Sequence, residues 1–296
     1  MNSAPVPESK SPLVIDYRLP HPALDRWVSH YYLLARRDKH DLKPILQRMY
    51  PSDGTGLIFQ LAGHADILSP EGQWRPHPRA FAKGHFRKPF LARFQGAYQL
   101  LCVSFRPGMA HHFLRDSQAA INDKFVPLEA LFGRAGGDLA EQVLIGGKLT
   151  QIGPMLDRFL IERAPSARNA SDCLTHAVSQ IILTNGAVSV GKVAEMCGQN
   201  PRRIERRFRS TLGMTPKYFC ETVRFRAFLR RVRVNPNESA AARAQECGYF
   251  DQAHQIREFR KFTGTCPGQF WSQAEAIEAA TTDIRTFSTW ISNASR

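Results

Sequence analysis

The sequence of 296 residues holds no run near the ~18 consecutive apolar residues that a membrane-spanning helix needs, so no such helix is expected. Residues 1–10 are polar and lack the charged start and apolar stretch of a secretory leader. Cysteine is scarce and scattered. Cys102, Cys173, Cys197, Cys220, Cys247 and Cys266 include no C-x-x-C pair, which argues against a thiolate zinc site or a disulfide framework and fits a reducing, cytoplasmic setting. Catalytic signatures are missing too. Gly133-Arg134-Ala135-Gly136-Gly137 lacks the Lys-Ser/Thr that completes a phosphate loop, no Gly-x-Ser-x-Gly elbow occurs, and Cys102 has no identifiable catalytic partner. His111 and His112 are adjacent, so on a helix they would point about 100° apart. His64, His77 and His85 lie in the N-terminal third without His-x-His plus Glu spacing. The expectation is therefore a protein that is not an enzyme, with no metal and no cofactor. Trp27, Tyr31, Tyr32, Trp74, Phe81, Phe86 and Phe105 suit core packing better than the lining of a ligand pocket.

Acidic residues are also in short supply. Asp plus Glu is 26 against 40 Lys plus Arg, a net charge of +14. The excess is concentrated: residues 186–272 carry 16 basic and 7 acidic side chains, whereas the other 209 residues carry 24 and 19. A basic C-terminal block is the electrostatic footprint of a polyanion binder.

Composition then divides the chain. Residues 1–12 contain three prolines among polar residues and read as a flexible tail. Residues 13–163 form a β-rich segment with trailing helices, an antiparallel sandwich or small cupin-like barrel. Its expected strands are 14–17, 57–61, 65–68, 91–94 and 100–105, separated by turn signals such as Ser52-Asp53-Gly54 and Arg106-Pro107-Gly108. A helix is expected over 22–32, because Leu24, Trp27, Val28 and Tyr31 fall at i, i+3, i+4 and i+7. Further helices are expected at 109–114, 128–132, 139–149 and 152–162. The small, polar stretch 164–172 reads as a linker, residues 173–272 as an all-α domain, and 273–296 as a C-terminal extension. The fold class is thus α+β.

Two helix-turn-helix units stand in the basic block. Ser189 is a good N-cap for a helix over 190–197, Gly198 stops it, and Pro201 opens a second helix that runs to Leu212. Ile204, Phe208 and Leu212 form its apolar stripe, and Arg202, Arg203, Arg206 and Arg209 project away from that stripe. A second helix of this kind enters the DNA major groove. A helix over 216–232 follows, with Phe225, Phe228, Leu229 and Val232 on its apolar face; its arginines read as the surface of a solvated linker helix. The pattern then recurs, with a helix over 239–247, a stop at Gly248, and a helix over 252–263 ending at Gly264. Two units on one block would let their second helices reach major-groove segments about one turn, or ~34 Å, apart.

Val193-Ala-Glu-Met-Cys-Gly through Phe208-Arg-Ser-Thr-Leu-Gly-Met-Thr-Pro resembles the first half of the AraC/XylS-type DNA-binding domain. Cys247-Gly-Tyr-Phe-Asp-Gln-Ala-His, with Phe259-Arg-Lys-Phe-Thr-Gly-Thr-Cys-Pro and Phe270, resembles the second half. The resemblance covers about a third of the chain. It implies a bacterial, sequence-specific transcription regulator on double-stranded DNA, with an N-terminal domain that senses a small-molecule effector or forms a homodimer, and RNA polymerase as a further partner. The rival reading is a cupin-like enzyme or metal-binding protein tethered to DNA by the same block. Base-edge candidates are Arg202, Glu205 and Arg206 in the first unit and Gln252, Ala253, His254 and Arg257 in the second. Phosphate candidates are Arg203, Arg209, Arg260 and Lys261. For Arg257, a bridge between helices is an equally good role. Arg243 and Gln255 stand where the family carries apolar residues, so the second unit is expected to pack less firmly. The effector site has no candidate residues.

Overall fold

The computed structural model of the chain describes residues 13–36, 43–51, 54–114, 118–165, 173–235 and 238–272. The expected tail 1–12, most of the expected linker (166–172) and the expected extension 273–296 lie outside the described residues.

Among the described residues, eight strands build one antiparallel sheet: β1 (Leu13–Arg18), β2 (Val28–Arg36), β3 (Ile45–Met49), β4 (Gly56–Leu68), β5 (Trp74–Pro76), β6 (Ala80–Lys83), β7 (Phe90–Phe105) and β8 (Phe125–Pro127). The order is β1-β2-β7-β4-β6-β8, with β3 added on β7 and β5 on β4. The path ends on β1 and β8, so the β-rich domain is formed as expected, with a sheet that does not close on itself among the described residues.

Two pairs of expected strands are in fact two long ones. The 57–61 and 65–68 segments join as β4, and 91–94 and 100–105 join as β7. Where they cross, the β4/β7 register shifts twice, between Gln60 and His64. Gly63 sits in that shift at φ +63°, and a Cβ there would meet the Gln95 carbonyl oxygen at 2.4 Å. A side chain is excluded both by the backbone conformation and by the approach of β7.

The helix expected over 22–32 is not present. Pro22–Leu24 make a short 3₁₀ turn, and β2 begins at Val28. Leu24, Trp27, Val28 and Tyr31 are nevertheless all buried in one cluster. The register of β2 against β7 shifts between Val28 and His30, and the extra residue brings side chains three apart onto one face. A bulged strand imitated the helical period. Met109–Leu114 likewise reduces to a 3₁₀ turn at Ala110–His112.

Helices α1 (Leu128–Phe132), α2 (Arg134–Ile145) and α3 (Leu149–Ile161) cover one face of the sheet. Leu139, Val143, Ile152, Leu156 and Leu160 bury against Tyr31, Phe59, Leu101 and Val103. Buried Asp157 ties α3 down: its carboxylate accepts from Arg18 Nη2 at 2.9 Å, the His21 amide at 2.8 Å and the Tyr31 hydroxyl at 2.8 Å.

The described residues from 173 onward form helices: α4 (Cys173–Leu183), α5 (Val190–Met196), α6 (Pro201–Leu212), α7 (Pro216–Val234), α8 (Ala240–Glu246), α9 (Gln252–Thr263) and α10 (Pro267–Ser272). The 19-residue α7 is about 28 Å long. It is not a solvated linker helix. Its first half (Phe219, Cys220, Val223) belongs to the core of the first unit and its second half (Phe225, Phe228, Leu229) to that of the second. Burial pushes the Cys220 and Cys247 thiols up to about 11, so both are protonated at neutral pH.

Candidate nucleic-acid interface

The α5–α6 pair forms as its caps dictate. Ser189 Oγ accepts the Lys192 amide at 3.2 Å, and Asn200 Oδ1 accepts the Arg203 amide at 2.8 Å. The α8–α9 pair repeats this, with Ser189 matched by Ser239 and Asn200 by Asp251, whose Oδ1 accepts the His254 amide at 2.6 Å. The stop residues Gly198 and Gly248 hold φ of +61° and +76°, the left-handed conformation that ends each first helix.

On α6 the three stripe residues are buried, while Arg202, Arg203, Glu205, Arg206 and Arg209 are exposed. Arg202, Glu205, Arg206, Arg209 and Ser210 line one shallow depression of about 540 Å³. Glu205 Oε1 accepts from Arg209 Nη2 at 2.9 Å. An exposed i,i+4 pair of this kind is worth only about 0.3–0.5 kcal/mol, so a phosphate can take Arg209, and a base edge either residue, at little cost.

On α9, Gln252, Ala253, Arg257, Arg260 and Lys261 are exposed. His254 is half-buried, with Nε2 3.5 Å from Glu258 Oε2 and Nδ1 3.4 Å from the Phe250 amide. Lys261 pairs with Glu221 of α7 and lies 5.0 Å from the Tyr218 ring. Arg260 Nη2 donates to Cys266 Sγ at 2.6 Å. A bridge between α7 and α9 is made by Arg224. Its Nε and Nη2 donate to the two carboxylate oxygens of Glu258 at 3.1 Å each, and its Nη1 donates to the Gly186 carbonyl at 2.9 Å. Both side chains are nearly buried. The Tyr249 ring lies 5.4 Å from the Arg224 guanidinium; burial, then the Glu258 charge, drives its hydroxyl pKa upward.

The second unit does not lack a core. Phe225, Phe228, Leu229, Ala244, Cys247, Tyr249, Phe259, Phe262 and Phe270 form a buried cluster. Arg243, although 8% exposed, uses its charge to close the end of α7: Nη2 donates to the carbonyls of Asn235 at 3.2 Å and Glu238 at 2.7 Å. Arg231 holds the Glu238 carboxylate with two bonds of 2.7 Å and keeps its pKa below the usual range. Gln255 is buried at 2% exposure.

Sequence reasoning passed over Arg224, Glu258 and Asn122. Glu258 carried a signal, being an acid in line with the buried stripe of Gln255, Phe259 and Phe262. Asn122 carried none. Its Oδ1 accepts the His85 amide at 3.1 Å, and its Nδ2 donates to the Leu212 carbonyl at 2.7 Å. The sheet domain thereby satisfies the last turn of α6. His85–Phe219 and Tyr50–Phe270 ring contacts lie along the same junction.

Among the described residues no three of His, Cys, Asp and Glu converge as a metal ion would require, and no helix is long and apolar enough to cross a membrane.

Residues 193–273 match the helix-turn-helix domain family, and residues 17–127 match a domain of unknown function, DUF6597. Curated proteins give no match. Among solved structures, the chain is similar to a transcriptional regulator from Chromobacterium violaceum described as AraC-type DNA-binding domain-containing, at 22% identity and TM-score 0.28, over 36% of this chain and 89% of that one. It is similar to ToxT from Vibrio cholerae at 9% identity and TM-score 0.42, over 77% and 97% of the two chains. Similarity to unsaturated fatty acid-bound ToxT from the same organism is 7% with TM-score 0.40, over 79% and 96%.

Proposed function

We propose that the chain, whose residues 193–273 match a helix-turn-helix domain family and resemble the AraC/XylS-type DNA-binding domain, regulates transcription by binding one face of duplex DNA with α6 and α9, under the control of a small molecule bound by the sheet domain. The observation that carries this is the shared helix α7. It contributes to the cores of both units and so holds two exposed, basic reading helices in one block.

Within this reading Arg202, Glu205 and Arg206 meet base edges from α6, and Gln252, Ala253, His254 and Arg257 do so from α9. Arg can bridge guanine O6 and N7, Gln can bridge adenine N6 and N7, and Glu can accept from cytosine N4. Arg203, Arg209, Arg260 and Lys261 meet phosphates. Control by the sheet domain is supported by Asn122, which joins His85, in the loop after β6, to the last turn of α6. The same proposal puts the protein in the cytoplasm, as a homodimer in contact with RNA polymerase at its target promoter.

The test is binding of the full chain to duplexes enriched from a random pool, in competition with bulk genomic DNA at one fixed salt concentration. Enrichment of a defined site at least 10³-fold over bulk DNA is expected, the lower end for specific binders. Equal affinity for enriched and bulk DNA contradicts a specific regulator.

A further inference from the structure

Phe250 is 93% exposed, the most exposed aromatic side chain among the described residues. It stands between the stop residue Gly248 and the α9 cap Asp251, immediately beside the helix end that meets base edges in this architecture. Single exposed apolar residues are common and need no explanation. The local geometry sets Phe250 apart. An apolar residue just before a helix cap ordinarily folds back onto the fourth helical residue as a hydrophobic staple. Here that fourth residue is Gln255, which is buried and polar. The inward place is taken by Tyr249, packed 6.0 Å from Phe228 and 5.4 Å from His254. The staple is thus absent, and the ring stays on the surface.

Farther along α9, Arg257 and Arg260 are exposed, and Asp251 next to the ring is engaged as the helix cap. A partner drawn there by charge and presenting an apolar group in the major groove is DNA with a thymine, whose 5-methyl is the one apolar feature of the base edges. We propose that Phe250 is a specificity-determining residue of the second unit and selects a thymine by contact with its methyl group. This rests on the DNA-binding reading above.

The probe is the duplex enriched from a random pool by the wild-type chain, with each thymine of the second half-site replaced in turn by uracil, which removes only the methyl. At one position the replacement should weaken wild-type binding about fourfold, the effect of one buried methyl-sized group. Phe250→Ala should bind the unmodified site less tightly by a similar factor and be indifferent to that replacement, while its affinity for bulk DNA stays unchanged. Phe250→Leu should keep part of the discrimination. Because the ring makes few contacts within the protein, both variants should fold, as a circular dichroism melt verifies. Identical enriched sites and identical uracil responses for wild type and Phe250→Ala overturn the proposal while leaving the DNA reading intact. So does a variant that loses promoter activation with DNA binding untouched, which would assign the ring to a protein partner. Failure of the wild-type chain to enrich any site is the separate result that overturns the DNA reading itself.

Discussion

Replacing Glu258 by alanine removes the acceptor that fixes α9 against α7. The carboxylate is 4% exposed and the Arg224 guanidinium 12%, and two 3.1 Å hydrogen bonds join them. The alanine variant leaves a nearly buried guanidinium with one remaining hydrogen bond, to the Gly186 carbonyl. Breaking a buried ion pair from one side costs about 3–5 kcal/mol, because the surviving charge stays desolvated. A domain has only about 5–15 kcal/mol in hand, so the second unit should be loosened near physiological temperature. Replacing both residues, as Arg224→Met with Glu258→Leu, removes the stranded charge and should recover most of the loss. Urea unfolding of the full chain by circular dichroism gives the stabilities, and amide exchange over α8 and α9 localises the change. Glu258→Ala within about 1 kcal/mol of the parent refutes the clamp, and so does a double variant as unstable as the single one.

Arg206→Ala should cost about 1–3 kcal/mol on the enriched site and relax preference at one base pair, read by comparing it with a scrambled duplex. Arg209→Ala should weaken all sequences alike and lower the salt slope by about 0.9, checked by titration over a range of salt concentrations. Arg243→Met should destabilise the second unit by about 1–3 kcal/mol, since two carbonyls lose a charged donor; chemical unfolding measures it. Burial lowers the His77 pKa to about 4, below the ~6.5 of an unfolded chain. The unfolded state therefore gains the proton first, and stability should fall as pH drops from about 6.5 to about 4, by up to about 3 kcal/mol. His77→Gln should lack that component of the pH profile.

The helical half was legible because its signals are local. Ser189, Asn200, Asp251 and the stop glycines act within a turn of themselves, and α6 and α9 run over the expected residues, 201–212 and 252–263. The sheet was less legible because bulges break the period on which strand reading depends. Tyr31 fell on a helical period by way of the shift near Val28, and β5 and β8, at three residues each, are too short to signal alone. Arg243 and Gln255 looked like defects in the second core. Only the folded chain shows that the end of α7 supplies carbonyls for Arg243, and that Phe259, Phe262 and Phe270 fill the core beside Gln255. Asn122 and Leu212 are 90 residues apart, a separation at which no local pattern operates.

Hydroxyl-radical footprinting of the full chain on its enriched duplex tests the central claim most directly. Two protected stretches are predicted on one face of the duplex, centred about 10 base pairs apart, as expected of two reading helices one turn apart. Glu258→Ala should erase the stretch contributed by α9 and spare that of α6. A single protected stretch with the wild-type chain, or uniform protection along the duplex, would contradict an account in which α7 presents both helices to one DNA site.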